Sequence, residues 1–145
     1  MLEKSIELGV THWHPVICKR TEKLGFPEER MKRIAWSAIK QCKRSKIPEI
    51  AKLQSWKDFI KNFDGNAYIA HCQAQNLLKT DEVLEKEECW LMIGPEGDFT
   101  TEEVQSALAK NAKEVSFGKL RMRSETAGLY FLSIRHQFSL ENNSK

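Results

Sequence analysis

The segment Leu91-Met92-Ile93-Gly94-Pro95-Glu96-Gly97-Asp98-Phe99-Thr100-Thr101-Glu102-Glu103-Val104 leaves the chain little freedom. A short apolar run meets a turn bracketed by two glycines and containing Pro95, and a helix start follows at once. The glycines suit positive φ and close approach of a ligand to the backbone, and Pro95 stiffens the turn while removing a donor. Thr100 followed by Glu103 is a capping-box pattern, so a helix is expected to begin there. Strand, glycine loop and capped helix in that order belong to an open α/β sheet, whose ligands sit at the carboxyl ends of the strands. A second stretch of similar kind follows, Phe117-Gly118-Lys119-Leu120-Arg121-Met122-Arg123-Ser124-Glu125-Thr126-Ala127-Gly128. Two such loops in one small chain point to a site built between them.

The rest of the pattern agrees. The spacing predicts a helix over residues 2–8 ended by Gly9, and a β-prone stretch from Val10 to Cys18. Pro27 with Glu28 and Glu29 marks a helix start. Met31, Ile34, Ala35, Ala38, Ile39 and Cys42 then recur at helical intervals. A shorter helix is expected over 55–63 and a turn at 64–66. Strands are expected at 67–72, 89–93 and 114–117, with helices over 101–110 and 124–138. Residues 73–88 read as a loop with little regular structure, ending in the run Glu85-Lys86-Glu87-Glu88, and residues 141–145 as a frayed tail. Alternation of strand and helix implies a mostly parallel sheet with helices on both faces. A chain of 145 residues is one domain by size, here assigned to residues 1–140.

Cys18, Cys42, Cys72 and Cys89 form no CxxC pair, and no signal-peptide pattern precedes them, so reduced and mostly buried thiols are expected in a cytoplasmic protein. His12 and His14 lack a cysteine or carboxylate at ligand spacing and read as strand or loop histidines, so no metal site is expected. No apolar run is long enough to span a bilayer. The net charge is only +3, yet Lys19, Arg20, Lys23, Arg30, Lys32, Arg33, Lys40, Lys43, Arg44 and Lys46 face only Glu22, Glu28 and Glu29 over one segment. That segment is either a solvated helix face or a phosphate-contacting surface. Lys119, Arg121 and Arg123 put a second basic cluster beside the glycine loops and favour an anionic substrate.

Ile93-Gly94-Pro95-Glu96-Gly97, together with Phe117-Gly118 leading to Arg123-Ser124-Glu125-Thr126-Ala127, resembles the RsmE family of bacterial methyltransferases. The likeness extends to residues 3–10, to Gln41-x-x-Arg44-x-x-Ile47-Pro48 and to the strand ending at His71, so it covers nearly the whole chain. It implies a SPOUT-type α/β domain with a C-terminal trefoil knot, S-adenosylmethionine as cofactor, and a homodimer. The implied reaction is methylation of N3 of a uridine in 16S ribosomal RNA, whether free or in the small subunit. It also places cofactor contacts at His71, Ile93, Gly94, Pro95, Glu96, Gly97, Phe117, Gly118, Leu120, Arg121 and Met122. Substrate or catalytic roles would fall to Arg123, Glu125 and Arg44. Within that frame Arg123 suits a phosphate or a carbonyl, and Glu125 acts as a base, orients Arg123 or caps the helix. Glu96 binds a ribose hydroxyl or stabilises its turn. Arg44 is a substrate arginine or a solvated helix-end cation.

The sequence departs from the family in three places. A PUA-like RNA-binding domain has no counterpart here, nor does the strand that normally precedes the first helix, so a truncated methyltransferase is expected. Where many members read Gly-x-Arg-(Ile or Val)-Leu-Arg, this chain has Gly118-Lys119-Leu120-Arg121-Met122-Arg123. A milder change puts Asp98 after Gly97. These departures keep open a second reading, a non-catalytic RNA-binding or dimerisation module. A phosphate loop of a nucleotide hydrolase is disfavoured, because the GxxxxGK[ST] spacing is absent.

Overall fold

In β5 (Ala67–Ala70) successive side chains go to opposite sides, and that alternation organises the molecule. Ala67 and Ile69 join a cluster with Trp56, Phe59, Ile60, Phe63, Met92, Phe99, Val104 and Ala107. Tyr68 packs the other way, with Val83, Val115 and Phe131. The computed structural model describes residues 1–22, 25–84 and 88–143, with side chains described as far as Gln137. β5 lies between β6 (Trp90–Ile93) and β7 (Lys113–Val115), and both pairings are parallel. Two short parallel pairs stand beside this sheet, β1 (His12–Trp13) with β3 (Glu49–Ile50) and β2 (Val16–Ile17) with β4 (Gln54–Ser55). The rings of His12 and His14 meet Trp90 of β6 at centroid distances of 5.6 and 4.9 Å.

Helices cover both faces, as the alternation predicts. On one side lie α3 (Trp56–Asn62), capped by Ser55 on Asp58, and α5 (Thr101–Leu108). On the other lie α4 (Thr80–Leu84) and α6 (Ser124–Asn143). A third apolar cluster joins α1 (Leu2–Glu7) to α2 (Glu28–Cys42) through Leu2, Ile6, Ala35, Ala38 and Ile39. The expected capping box is present: Thr100 N–H donates to Glu103 Oε2 at 2.8 Å, and Glu103 N–H donates to Thr100 Oγ1 at 3.3 Å. Glu103 is buried, and its other oxygen accepts from Lys19 N–H at 2.8 Å, so one carboxylate caps a helix and anchors a distant loop.

Two expectations about the elements need correction. The stretch 73–88 is not all loop, because α4 forms within it. Five residues are too few to display a period, and the fold supplies the stabilisation: Val83 is fully buried, and Arg135 of α6 donates to its carbonyl at 2.8 Å. α6 runs on to Asn143, beyond the expected end at 138. β3 and β4, two residues each, had no sequence signature. The charged residues 85–87 and the side chain of Phe138 lie outside the described residues.

Among the described residues all four cysteines are free, but Cys72 is exposed and only Cys18 is buried. Burial, reinforced by Glu103, pushes the Cys18 thiol up to about 12. No group of three or more His, Cys, Asp or Glu side chains among the described residues could hold a metal ion. Nor is any described helix long and apolar enough to cross a membrane.

Candidate cofactor and substrate site

Parallel strands end together, so the loops leaving β5, β6 and β7 meet at one edge of the sheet. A cavity of about 720 Å³ opens there, within the usual size of small-molecule sites. His71 and Cys72 come from the end of β5, Ile93–Glu96 and Asp98 from the loop after β6, and residues 115–123 from β7 and its loop. Ser124, Glu125 and Ala127 come from the start of α6. The two glycine-containing loops thus form the walls of one pocket.

Two hydrogen bonds tie those walls together. Ser124 Oγ donates to the Gly94 carbonyl at 2.6 Å, and Arg121 Nη2 donates to the Glu96 carbonyl at 3.2 Å. The first loop is also held from behind. Asp98 accepts from Cys72 N–H at 2.9 Å and from Phe99 N–H at 2.8 Å, and its own N–H donates to the Pro95 carbonyl at 2.8 Å. Arg20 Nη1 donates to the carbonyls of Gly97 at 2.9 Å and Phe99 at 3.3 Å. This member of the basic segment therefore supports the loop.

The glycines serve a different purpose from the one expected. Neither Gly94 nor Gly97 has positive φ; in this loop the left-handed residue is Asp98, at φ 64°. Gly94 is needed for close approach, since a Cβ there would lie 3.0 Å from the backbone nitrogen of Phe99. A Cβ on Gly97 would meet Arg20 Cβ at the same distance. In the second loop Gly118 does take positive φ, 121°, and its N–H donates to Ser116 Oγ at 3.2 Å.

Most of the expected residues converge. His71, Ile93, Gly94, Pro95, Glu96, Phe117, Gly118, Leu120, Arg121, Met122, Arg123 and Glu125 all line the cavity. Gly97 does not, because it is turned towards Arg20. Arg44 is not brought there either: its Nη1 donates to the carbonyls of Ile6 at 3.0 Å and Val10 at 2.8 Å, closing the end of α1. Arg123 and Glu125 are both exposed at the rim, and among the described residues they form no ion pair with each other. His71 is half-buried, with its side chain 8% exposed beside Glu114, Nε2 to Oε2 3.4 Å.

Sequence reasoning missed two contributors, Asp98 and Ser124. Both are short polar residues beside glycine loops, the usual signature of side chains that bond to nearby backbone. Cys72, which lines the cavity, has its thiol pushed above the usual range, by burial first and then by a hydrogen bond to Asp98.

A parallel α/β sheet whose strand ends and glycine loops enclose one pocket defines an α/β protein with a small-ligand site at its strand ends. Residues 1–136 match the model of the RNA methyltransferase domain, and the chain belongs to that family. The curated relatives include the ribosomal RNA small subunit methyltransferase E of Mesomycoplasma hyopneumoniae. It is 31% identical over 140 residues, which are 91% of this chain and 60% of the relative. The enzyme of the same name from Rickettsia conorii is 28% identical over 88% of this chain and 54% of its own length. This chain therefore spans between about half and three fifths of those relatives. Among solved structures, the Neisseria gonorrhoeae methyltransferase E bound to S-adenosyl methionine superimposes with a TM-score of 0.80. Its identity is 27%, over 94% of this chain and 58% of that one. A Legionella pneumophila protein in complex with the cofactor SAM gives a TM-score of 0.84 at 27% identity, over 94% of this chain and 59% of that one.

Proposed function

We propose that this chain is an S-adenosylmethionine-dependent RNA methyltransferase acting on N3 of a uridine in 16S ribosomal RNA. In this reading it works as a homodimer, and its C-terminal loops are threaded as a trefoil knot. The observation that carries the proposal is the joining of the two glycine loops into one cavity by Ser124 and Arg121. Relatives solved with this cofactor share the fold over nearly the whole chain.

The residues present suit the cofactor. Ile93, Phe117, Leu120 and Met122 give the lining apolar surface for a flat base, and the carbonyls and amides around Gly94 and Gly118 offer edge contacts that demand little of side chains. Glu96 and Asp98 put carboxylates near a ligand that carries positive charge. When bound, the cofactor supplies an electrophilic methyl group on a sulfonium. The protein's share of the work is positioning and removal of the N3 proton. Arg123, exposed at the rim, offers a planar fork to a phosphate or a uridine carbonyl. Glu125 lies in the same lining, where its carboxylate would serve as the base for N3 or orient Arg123. Arg44 is left out of the substrate contacts, because its guanidinium already serves the carbonyls of Ile6 and Val10.

The test is transfer of a labelled methyl group from S-adenosylmethionine to small-subunit RNA, with the modified base identified by nuclease digestion and mass spectrometry. Label on uridine N3 is the expected result. RNA binding without any cofactor affinity in a calorimetric titration would overturn it in favour of a non-catalytic RNA-binding module.

A further inference from the structure

α2 buries Ala35, Ala38 and Ile39 against α1, yet its largest side chain points the other way. Trp36 is 54% exposed, and among the described residues its indole makes no ring contact and no hydrogen bond. Side chains three and four positions away are neighbours on a helix surface. Of those four positions Ile39 is buried in the core, and the other three hold Lys32, Arg33 and Lys40; Lys43 lies one turn further on, and all four cations are exposed. Lys32 is occupied by Glu28 and Glu29, at 2.9 and 3.3 Å. Arg33, Lys40 and Lys43 have no ion-pair partner among the described residues. Cations near a helix C-terminus are favoured by its dipole, which accounts for Lys40 and Lys43 but not for an indole among them.

We infer that the outer face of α2 is a landing site for single-stranded RNA, with a base stacked on Trp36 and phosphates held by Arg33, Lys40 and Lys43. The inference rests on the RNA methyltransferase reading for the nature of the partner, and it adds a contact surface outside the cofactor pocket. An exposed aromatic ring inside a cationic stripe is the arrangement that binds unpaired nucleotides, because stacking needs a free base face and the charges follow the backbone. A duplex keeps its bases paired and stacked and could use only the charges.

Fluorescence anisotropy with a labelled single-stranded RNA oligonucleotide, and with the same strand annealed to its complement, separates the two contributions. Trp36→Ala should weaken single-strand binding about tenfold and leave duplex binding unchanged, and Trp36→Phe should recover most of the loss. Arg33→Glu combined with Lys40→Glu should weaken both RNAs and flatten their salt dependence. All these side chains are exposed, so circular dichroism and thermal melting should show intact folding in every variant. Three results overturn the inference: unchanged single-strand affinity in Trp36→Ala, equal losses for single strand and duplex, or a change in sedimentation with RNA binding intact. The last would make this face a contact between copies of the chain. The two readings fail separately. A chain that binds RNA through Trp36 but has no cofactor affinity loses only the enzyme assignment. A Trp36→Ala variant that binds and methylates RNA as well as the parent loses only the landing site.

Discussion

The two loops that make the pocket are built in opposite ways. The loop after β6 is braced on every side: Gly94 lies against the Phe99 backbone, Asp98 bonds to Cys72 and Phe99, and Arg20 holds two of its carbonyls. The loop after β7 has few supports. Leu120 is 83% exposed, a Cβ on Gly118 would touch nothing, and the ties to the first loop are the single bonds from Arg121 and Ser124. One wall is therefore set before a ligand arrives, and the other has room to adjust. A pocket with one fixed wall keeps much of the orientation a bound cofactor needs, while the lightly held wall can admit it and close.

The sharpest way to break this contrast is to disturb the braced wall. Gly94→Val would place branched carbons where 3.0 Å separates even a single Cβ from the Phe99 nitrogen. Overpacking of this kind costs about 1–3 kcal/mol. We expect cofactor binding to disappear from calorimetry while the chain still unfolds cooperatively; retained affinity would show that this loop does not form the binding wall. A smaller effect is expected for Ser124→Ala, which unties the walls without disturbing either. Loss of one neutral hydrogen bond is worth about 1 kcal/mol, so cofactor affinity should fall about fivefold with little change in melting temperature. A large drop in melting temperature would instead make Ser124 a fold determinant.

How much of this could be read from the chain follows the same division. The braced loop was legible because local chemistry makes it: the capping box at Thr100 and Glu103 and the strand before it are short-range features. What the structure places elsewhere than expected depends on contacts made by residues far apart in sequence. Gly97 looked like a ligand glycine, but it meets Arg20, 77 positions away. Arg44 looked like a substrate arginine, but it reaches back across 38 positions to close α1. The chemistry of a guanidinium is the same in either role, and only the fold decides which carbonyl or phosphate it finds. α4 was missed for a related reason, since its stability comes from Val83 packing under Tyr68 and Phe131.

Gly118→Ala tests the adjustable wall. Its φ of 121° is a strained backbone conformation for alanine, yet no neighbouring atom blocks the new methyl. Strain of this kind costs about 1 kcal/mol or more when it must be held. In a lightly supported loop much of it should be relieved by local rearrangement. We expect a small fall in melting temperature and a cofactor affinity lowered less than by Ser124→Ala. If Gly118→Ala proved as damaging as Gly94→Val, the second loop would be as rigid as the first and the contrast would fail.

Cys72 reports on both walls at once. Its thiol is raised by burial and then by Asp98 of the braced loop, whereas Arg121 of the adjustable loop pulls it down. The thiolate is the reactive form, so a raised value means that alkylation is slow at neutral pH and accelerates as the solution becomes more alkaline. Asp98→Asn should shift the pH–rate profile of Cys72 alkylation, followed by mass spectrometry, to lower pH. Arg121→Ala should shift it to higher pH, and by less, because Arg121 is the weakest of the influences on this thiol and its side chain is exposed. S-adenosylmethionine should protect Cys72 from the reagent if it occupies the cavity that this cysteine lines. Buried Cys18, with its thiol near 12, should stay unmodified throughout and serve as the internal reference. Unaltered Cys72 kinetics in both variants would mean that neither loop holds its charge beside the thiol in solution, and that the two walls do not meet there.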